Sequence, residues 1–169
     1  MALVGHWKLD GNALDSSGNN NHGTILGTLP IVDSGKIGKT FGFANNDNGI
    51  SVPNTNFVGL ETYTMCAWVK PAGNHRNYNG TIISSGNWNG ACWAFGLSQN
   101  NSQIDVASNG YNKYITHPVP VGKWTHILCV VKNNISSLYV NGEYIAQMVV
   151  VGKLSSDASN LCIGRETYA

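Results

Sequence analysis

Ser137-Leu138-Tyr139-Val140-Asn141-Gly142-Glu143-Tyr144-Ile145-Ala146 sets two short runs of β-branched and aromatic residues on either side of an Asn-Gly pair. Asn and Gly accept the positive φ angles of a type I′ turn, so the two runs read as a tight antiparallel hairpin with its register nearly forced. Upstream, Ile127-Leu128-Cys129-Val130-Val131 is apolar on both faces, as expected of a central strand covered on both sides. Tyr111, Lys113 and Ile115 alternate with Asn112, Tyr114 and Thr116, the pattern of a strand with one wet face. Working outward, strands are expected at Leu3–Leu9, Thr40–Phe43, Ile50–Val52, Tyr63–Lys70, Thr81–Ser85, Ala91–Ser98, Ile104–Ala107, Tyr111–Thr116, Thr125–Lys132 and Asn160–Gly164. Helical periodicity is almost absent, and Gly and Asn punctuate the chain at short intervals. The fold class is all-β, with two antiparallel sheets stacked as a sandwich around one core.

The 169 residues read as one domain, 1–169, with no linker, repeat or composition break. Charged residues are 11% of the chain and the net charge is +1. Such a surface offers no basic stripe to nucleic acid. No signal-like leader and no apolar run long enough to span a bilayer is visible. The four cysteines, Cys66, Cys92, Cys129 and Cys162, are far apart, and each lies in an apolar strand-like run. Without a C-x-x-C pair they read as buried free thiols rather than zinc ligands.

Short motifs run through the chain in order: Gly5-His6-Trp7-Lys8-Leu9-Asp10-Gly11, Asp15-Ser16-Ser17-Gly18-Asn19, His22-Gly23-Thr24, Ala67-Trp68-Val69-Lys70-Pro71, Lys123-Trp124-Thr125-His126, Leu138-Tyr139-Val140-Asn141-Gly142 and Ile163-Gly164-Arg165. Together they resemble the laminin-G-like, concanavalin-A-like jelly-roll family, a scaffold used mostly for binding. The resemblance implies one further closing strand beyond Arg165, which the sequence lacks. In the family that strand lies beside the first, so the resemblance implies either a truncated chain or an unpaired edge at Leu3–Leu9, open to strand addition by a partner.

Retaining glycosidases need two carboxylates about 5 Å apart. Asp105 is the one acidic residue within a strand interior, and no acidic neighbour stands two positions away. No G-x-S-x-G elbow and no H-E-x-x-H spacing occurs, so no catalytic residue is assigned and the expectation is a protein that is not an enzyme. His6 and His126 read as structural, and His22 as a turn stabiliser. Calcium needs several hard oxygens, and Asp10, Asp15, Asn19 and Asn21, with Asn12 and Ser17, place many in one Gly-containing loop. The same residues suit an ordinary Asx-rich turn; the family resemblance favours a structural calcium there, and Asp47 is a weaker second candidate.

A ligand-binding patch is expected at His75, Arg76, Tyr78, Asn87 and Trp88. A flat aromatic stacks on the apolar face of a pyranose, while amides and charged groups bond its hydroxyls. Protein interfaces share that composition, and Trp88 could equally fold back on the core. Trp7, Trp68, Trp93 and Trp124 lie in strand motifs and read as core. Three functions follow: a glycan-binding module, a decoration or adhesion subunit on the surface of a bacteriophage virion, and a jelly-roll glycoside hydrolase. The expectation is a non-enzymatic module exposed on a virion, binding the particle, surface glycans or both, within an oligomer or larger assembly; a secreted lectin is the alternative.

Overall fold

A computed structural model describes residues 2–43, 48–53, 59–73, 80–85, 93–97, 103–108, 113–150 and 160–165. Its strands are β1 (Thr24–Leu26), β2 (Ile31–Val32), β3 (Thr40–Phe41), β4 (Gly49–Pro53), β5 (Tyr63–Val69), β6 (Gly80–Ser85), β7 (Trp93–Leu97), β8 (Gln103–Ser108), β9 (Lys113–Pro118), β10 (Thr125–Lys132), β11 (Ile135–Val140), β12 (Glu143–Val149) and β13 (Asn160–Ile163). They form a seven-stranded sheet, β1-β4-β13-β6-β7-β8-β9, a four-stranded sheet, β12-β11-β10-β5, and a β2-β3 ribbon. All pairings are antiparallel. The two-sheet antiparallel sandwich expected from the sequence is therefore the architecture.

The β11–β12 turn shows why the hairpin forms. Asn141 and Gly142 both have positive φ, 51° and 88°, as a type I′ turn requires. Asn133 and Asn134, at 52° and 59°, do the same between β10 and β11. Asn141 also ties the turn to β10: its backbone N–H donates to the His126 carbonyl (2.8 Å), and its side-chain oxygen accepts from the His126 N–H (2.9 Å).

The core lies between the sheets. Thr125, Ile127, Cys129 and Val131 on β10 and Leu138 and Val140 on β11 are buried, as are Ile50, Val52, Ile104, Val106, Leu161 and Ile163 of the larger sheet. Each such aliphatic side chain stabilises the fold by roughly 1.5–3 kcal/mol relative to exposure. β10 is covered on one side only, however. Leu128 and Val130 are half-buried, because no further layer covers the outer face of the four-stranded sheet among the described residues.

β13, near the end of the chain, enters the middle of the large sheet between β4 and β6. Gly164 then turns the chain with φ 76° directly over the Phe43 ring, where a Cβ would collide.

Leu3–Leu9 corrects the sequence reading. It is not a strand: only Trp7 makes an isolated bridge, to Asp15, and Leu9 leaves the extended region at φ 59°. Apart from the Ser16 N–H bond to the His6 carbonyl (2.8 Å), side chains take the place of the ladder. Asn19 Nδ2 donates to the Leu3 carbonyl, Asn21 Nδ2 and Ser17 Oγ to that of Val4, and Ser16 Oγ to that of His6. The unpaired strand edge expected at Leu3–Leu9 is accordingly not there. A second correction concerns the thiols: Cys129 and Cys162 are buried and free, but Cys66 is exposed on β5.

Candidate functional site

Alternation along β5 decides which side chains reach solvent. Tyr63 is buried and Met65, Ala67 and Val69 are partly so, whereas Thr64, Cys66 and Trp68 are exposed. Trp68, expected in the core, is thus an outward residue, 42% exposed. The signal was available: Trp68 shares its parity with Thr64, so a half-buried strand with Thr64 outside puts the indole outside too.

The register builds a cluster around it. Trp68 lies opposite His126, and the two rings are 5.1 Å apart at 51°. Lys36, from the segment before β3, places Nζ 4.5 Å from the indole centroid, a cation–π contact worth about 0.5–1 kcal/mol at an exposed site. In the next row, Cys66, Leu128, Tyr139 and Tyr144 follow one another across β5, β10, β11 and β12. Tyr139 and Tyr144 meet edge to face at 5.6 Å. The outer face of the four-stranded sheet is therefore an aromatic surface with a cation and an imidazole at one end.

The five residues expected to bind ligand, His75, Arg76, Tyr78, Asn87 and Trp88, lie outside the described residues. Their segments leave β6 at its two ends, 74–79 before Gly80 and 86–92 after Ser85. At about 3.4 Å per residue those ends are about 17 Å apart.

The loop expected to hold calcium is organised around Asp15 as a hydrogen-bond acceptor. Its Oδ1 accepts the His6 and Ser17 N–H groups, each at 2.8 Å, and its Oδ2 accepts the Ser17 hydroxyl (2.8 Å) and the Asn21 N–H (3.0 Å). Burial pushes this carboxyl up, but the four hydrogen bonds outweigh it and hold the group at about 2. Asn19 and Asn21 point their Nδ2 donors, not oxygens, at the Leu3 and Val4 carbonyls, and Asp10 Oδ1 accepts from the Lys39 N–H instead. A cation needs free oxygens converging on a point. The Asp15 oxygens are taken up by N–H and O–H donors and the Asn19 and Asn21 amides donate to carbonyls, the arrangement of an Asx-rich turn, the other reading of these residues. Among the described residues no group of three His, Cys, Asp or Glu side chains could hold a metal. His22 has the turn-stabilising role expected of it, its Nδ1 accepting from the Asp15 N–H.

Asp105, on the outer face of the seven-stranded sheet, accepts a 2.9 Å bond from Thr116 Oγ1. Burial raises its pKa, and the Thr116 bond partly offsets this. Its cross-strand neighbours are Gly96 and Thr116, so neither adjacent strand supplies the second carboxylate of a glycosidase pair.

Solved structures share the fold. Domain 4 of AbnA, an extracellular GH43 arabinanase from Geobacillus stearothermophilus solved with arabinotriose, has a TM-score of 0.75 at 23% identity, over 99% of this chain and 85% of that one. A botulinum neurotoxin type C structure, described as showing cell entry dependent on two ganglioside molecules, scores 0.70 at 15% identity over 99% of this chain and 43% of its own. The binding domain of Paraclostridial Mosquitocidal Protein 1 scores 0.67 at 16% identity, over 92% and 47%. The chain thus spans less than half the length of these two toxin chains. No curated protein sequence matches it. The family profile described as the concanavalin A-like lectin/glucanases superfamily matches residues 44–169, and the chain belongs to that superfamily.

Proposed function

We propose that this chain is a non-enzymatic glycan-binding module whose described contact surface is centred on Trp68. The carrying observation is the half-exposed indole on an open sheet face, with Lys36 and His126 beside it. The C–H face of a sugar ring stacks on the indole in place of the Lys36 ammonium, which then donates, with the imidazole, to its hydroxyls. The arabinotriose-bound and ganglioside-dependent relatives support the ligand class. His75, Arg76, Tyr78, Asn87 and Trp88 remain the loop alternative for the same function.

The finer reading is display on a virion surface. The described cysteines are all free, two of them in the core, which suits a chain that folds in a reducing cytoplasm before it is exposed. Burial pushes the Cys129 thiol up to about 11, partly offset by its contact with the Ser136 hydroxyl (3.0 Å).

The test is a glycan array followed by calorimetric titration of arabino-oligosaccharides and sialylated oligosaccharides against wild type, Trp68→Ala and Trp88→Ala. Trp68→Ala is expected to weaken binding at least tenfold with the fold intact. Loss on Trp88→Ala alone would move the contact surface to the loops. A blank array combined with stoichiometric co-sedimentation on phage particles would replace the glycan by the particle itself.

A further inference from the structure

Alternation along β12 is broken at one place, and the break decides where Tyr144 goes. On β11, Ser136, Leu138 and Val140 are buried, so Ser137 and Tyr139 face outward. Val149 pairs with Ile135 and Gln147 with Ser137, which makes the odd-numbered residues of this part of β12 the outward ones. Continued unbroken, that alternation would bring Ile145 to the surface and turn Tyr144 toward the core. The register instead shifts between Leu138 and Tyr139: Ala146 stands opposite the first, and Tyr144 opposite the second. Ile145 packs against the core, and Tyr144 is left 54% exposed. Bulges that re-aim a side chain in this way occur beside functional sites.

The bulge therefore sets a second aromatic group on the face that carries Trp68. The Tyr139 and Tyr144 rings meet at 5.6 Å and 68°. Outward groups on either side of Tyr139 are polar: Asn141 beyond it toward the turn, and Ser137 with its partner Gln147 on the other side. Trp68 and Tyr144 lie on the first and last strands of the four-stranded sheet, one outward row apart. With strands about 4.8 Å apart and outward residues about 6.8 Å apart along a strand, the two side chains leave the sheet about 16 Å from each other. Leu128, half-buried, lies on the diagonal between them.

We infer that Tyr139 and Tyr144 form a second aromatic subsite of the Trp68 surface, and that this surface takes a linear oligosaccharide lying across the four strands in place of a single terminal sugar. The inference rests on the glycan reading of Trp68 and names the ligand's form. Aromatic faces flanked by amides and a hydroxyl repeat the chemistry of a sugar contact. A short glycan stacks on one platform and falls short of the other. A chain that reaches both makes its second contact within one complex, so the association cost already met at the first contact is not incurred again.

Calorimetric titration of two length series, arabino-oligosaccharides and sialylated oligosaccharides, each from disaccharide to hexasaccharide, tests this on wild type, Trp68→Ala, Tyr144→Ala and Tyr144→Phe. In wild type the hexasaccharide of the series that binds is expected to bind about tenfold tighter than the disaccharide. Tyr144→Ala should bring the hexasaccharide down to the disaccharide value and leave the disaccharide unchanged, which also reports an intact fold. Tyr144→Phe keeps the ring and should keep the gain, whereas Trp68→Ala should weaken every length. Equal affinity for the two lengths in wild type, a length gain that survives Tyr144→Ala, or an equal loss at every length in that variant overturns the second subsite and leaves the Trp68 contact standing. No binding of either series at any length overturns both.

Discussion

The β10–β12 region and the N-terminal segment around Asp15 are held together by opposite means. In the first, backbone pairs with backbone over two continuous hairpins, and alternate side chains such as Ile127 and Leu138 fill the core. In the second, Asn19 meets the Leu3 carbonyl, Asn21 and Ser17 that of Val4 and Ser16 that of His6, and one carboxylate collects four donors. A ladder depends on pattern, so a change at one position is absorbed unless it opens the core. A side-chain clasp depends on identity, so a single atom can matter.

The sharpest contrast comes from removing the centre of each. Leu138→Ala empties a fully buried site and is expected to cost about 3–4 kcal/mol in urea unfolding. Asp15→Ala removes little apolar area yet orphans the N–H groups of His6, Ser17 and Asn21, and we expect a loss of about 2–3 kcal/mol. A loss under about 0.5 kcal/mol there would mean that water replaces the clasp and the comparison fails.

Acid probes the same carboxylate without mutation. The folded value near 2 lies below the ordinary aspartate value of 3.8, so the Asp15 contribution is complete above the unfolded pKa. It is lost as pH falls from about 4 through 2. Unfolding midpoints measured between pH 5 and 2 should fall in wild type and fall less in Asp15→Ala, and parallel slopes would exclude Asp15 as the source.

Smaller effects lie at the hairpin tip. Gly142→Ala places a Cβ at φ 88° and is expected to cost about 1–2 kcal/mol, a few degrees in melting temperature. The smallest effect is predicted for chelation. A calcium ion present at 100 times its dissociation constant adds about 2.7 kcal/mol, so an unchanged melting point in EDTA agrees with a filled hydrogen-bond clasp, and a clear drop would restore the ion.

Legibility followed the same division. The Asn141-Gly142 turn, the β10 run and the positions of β4 to β13 were readable because period and turn chemistry act locally. β1 and β2 were not, being three and two residues long, too short to show a period. Leu3–Leu9 has a strand's composition, but its partners are side chains 10 to 17 residues away, which periodicity cannot register. At the candidate site, Trp68 was misread for a different reason. Its apolar character suggested burial, while the facing of the strand follows from parity, and the two disagree only where a surface keeps an aromatic outside.

β6 also gives the fold a separation of duties. The sequence 74–79 precedes it and 86–92 follows it, so an insertion in either enters outside the described strand pairings of both main sheets. Segments joining strands tolerate such change far better than the strands themselves. Insertions there therefore leave the described strand pairings of the sandwich in place, a property useful to anyone building a display scaffold from it.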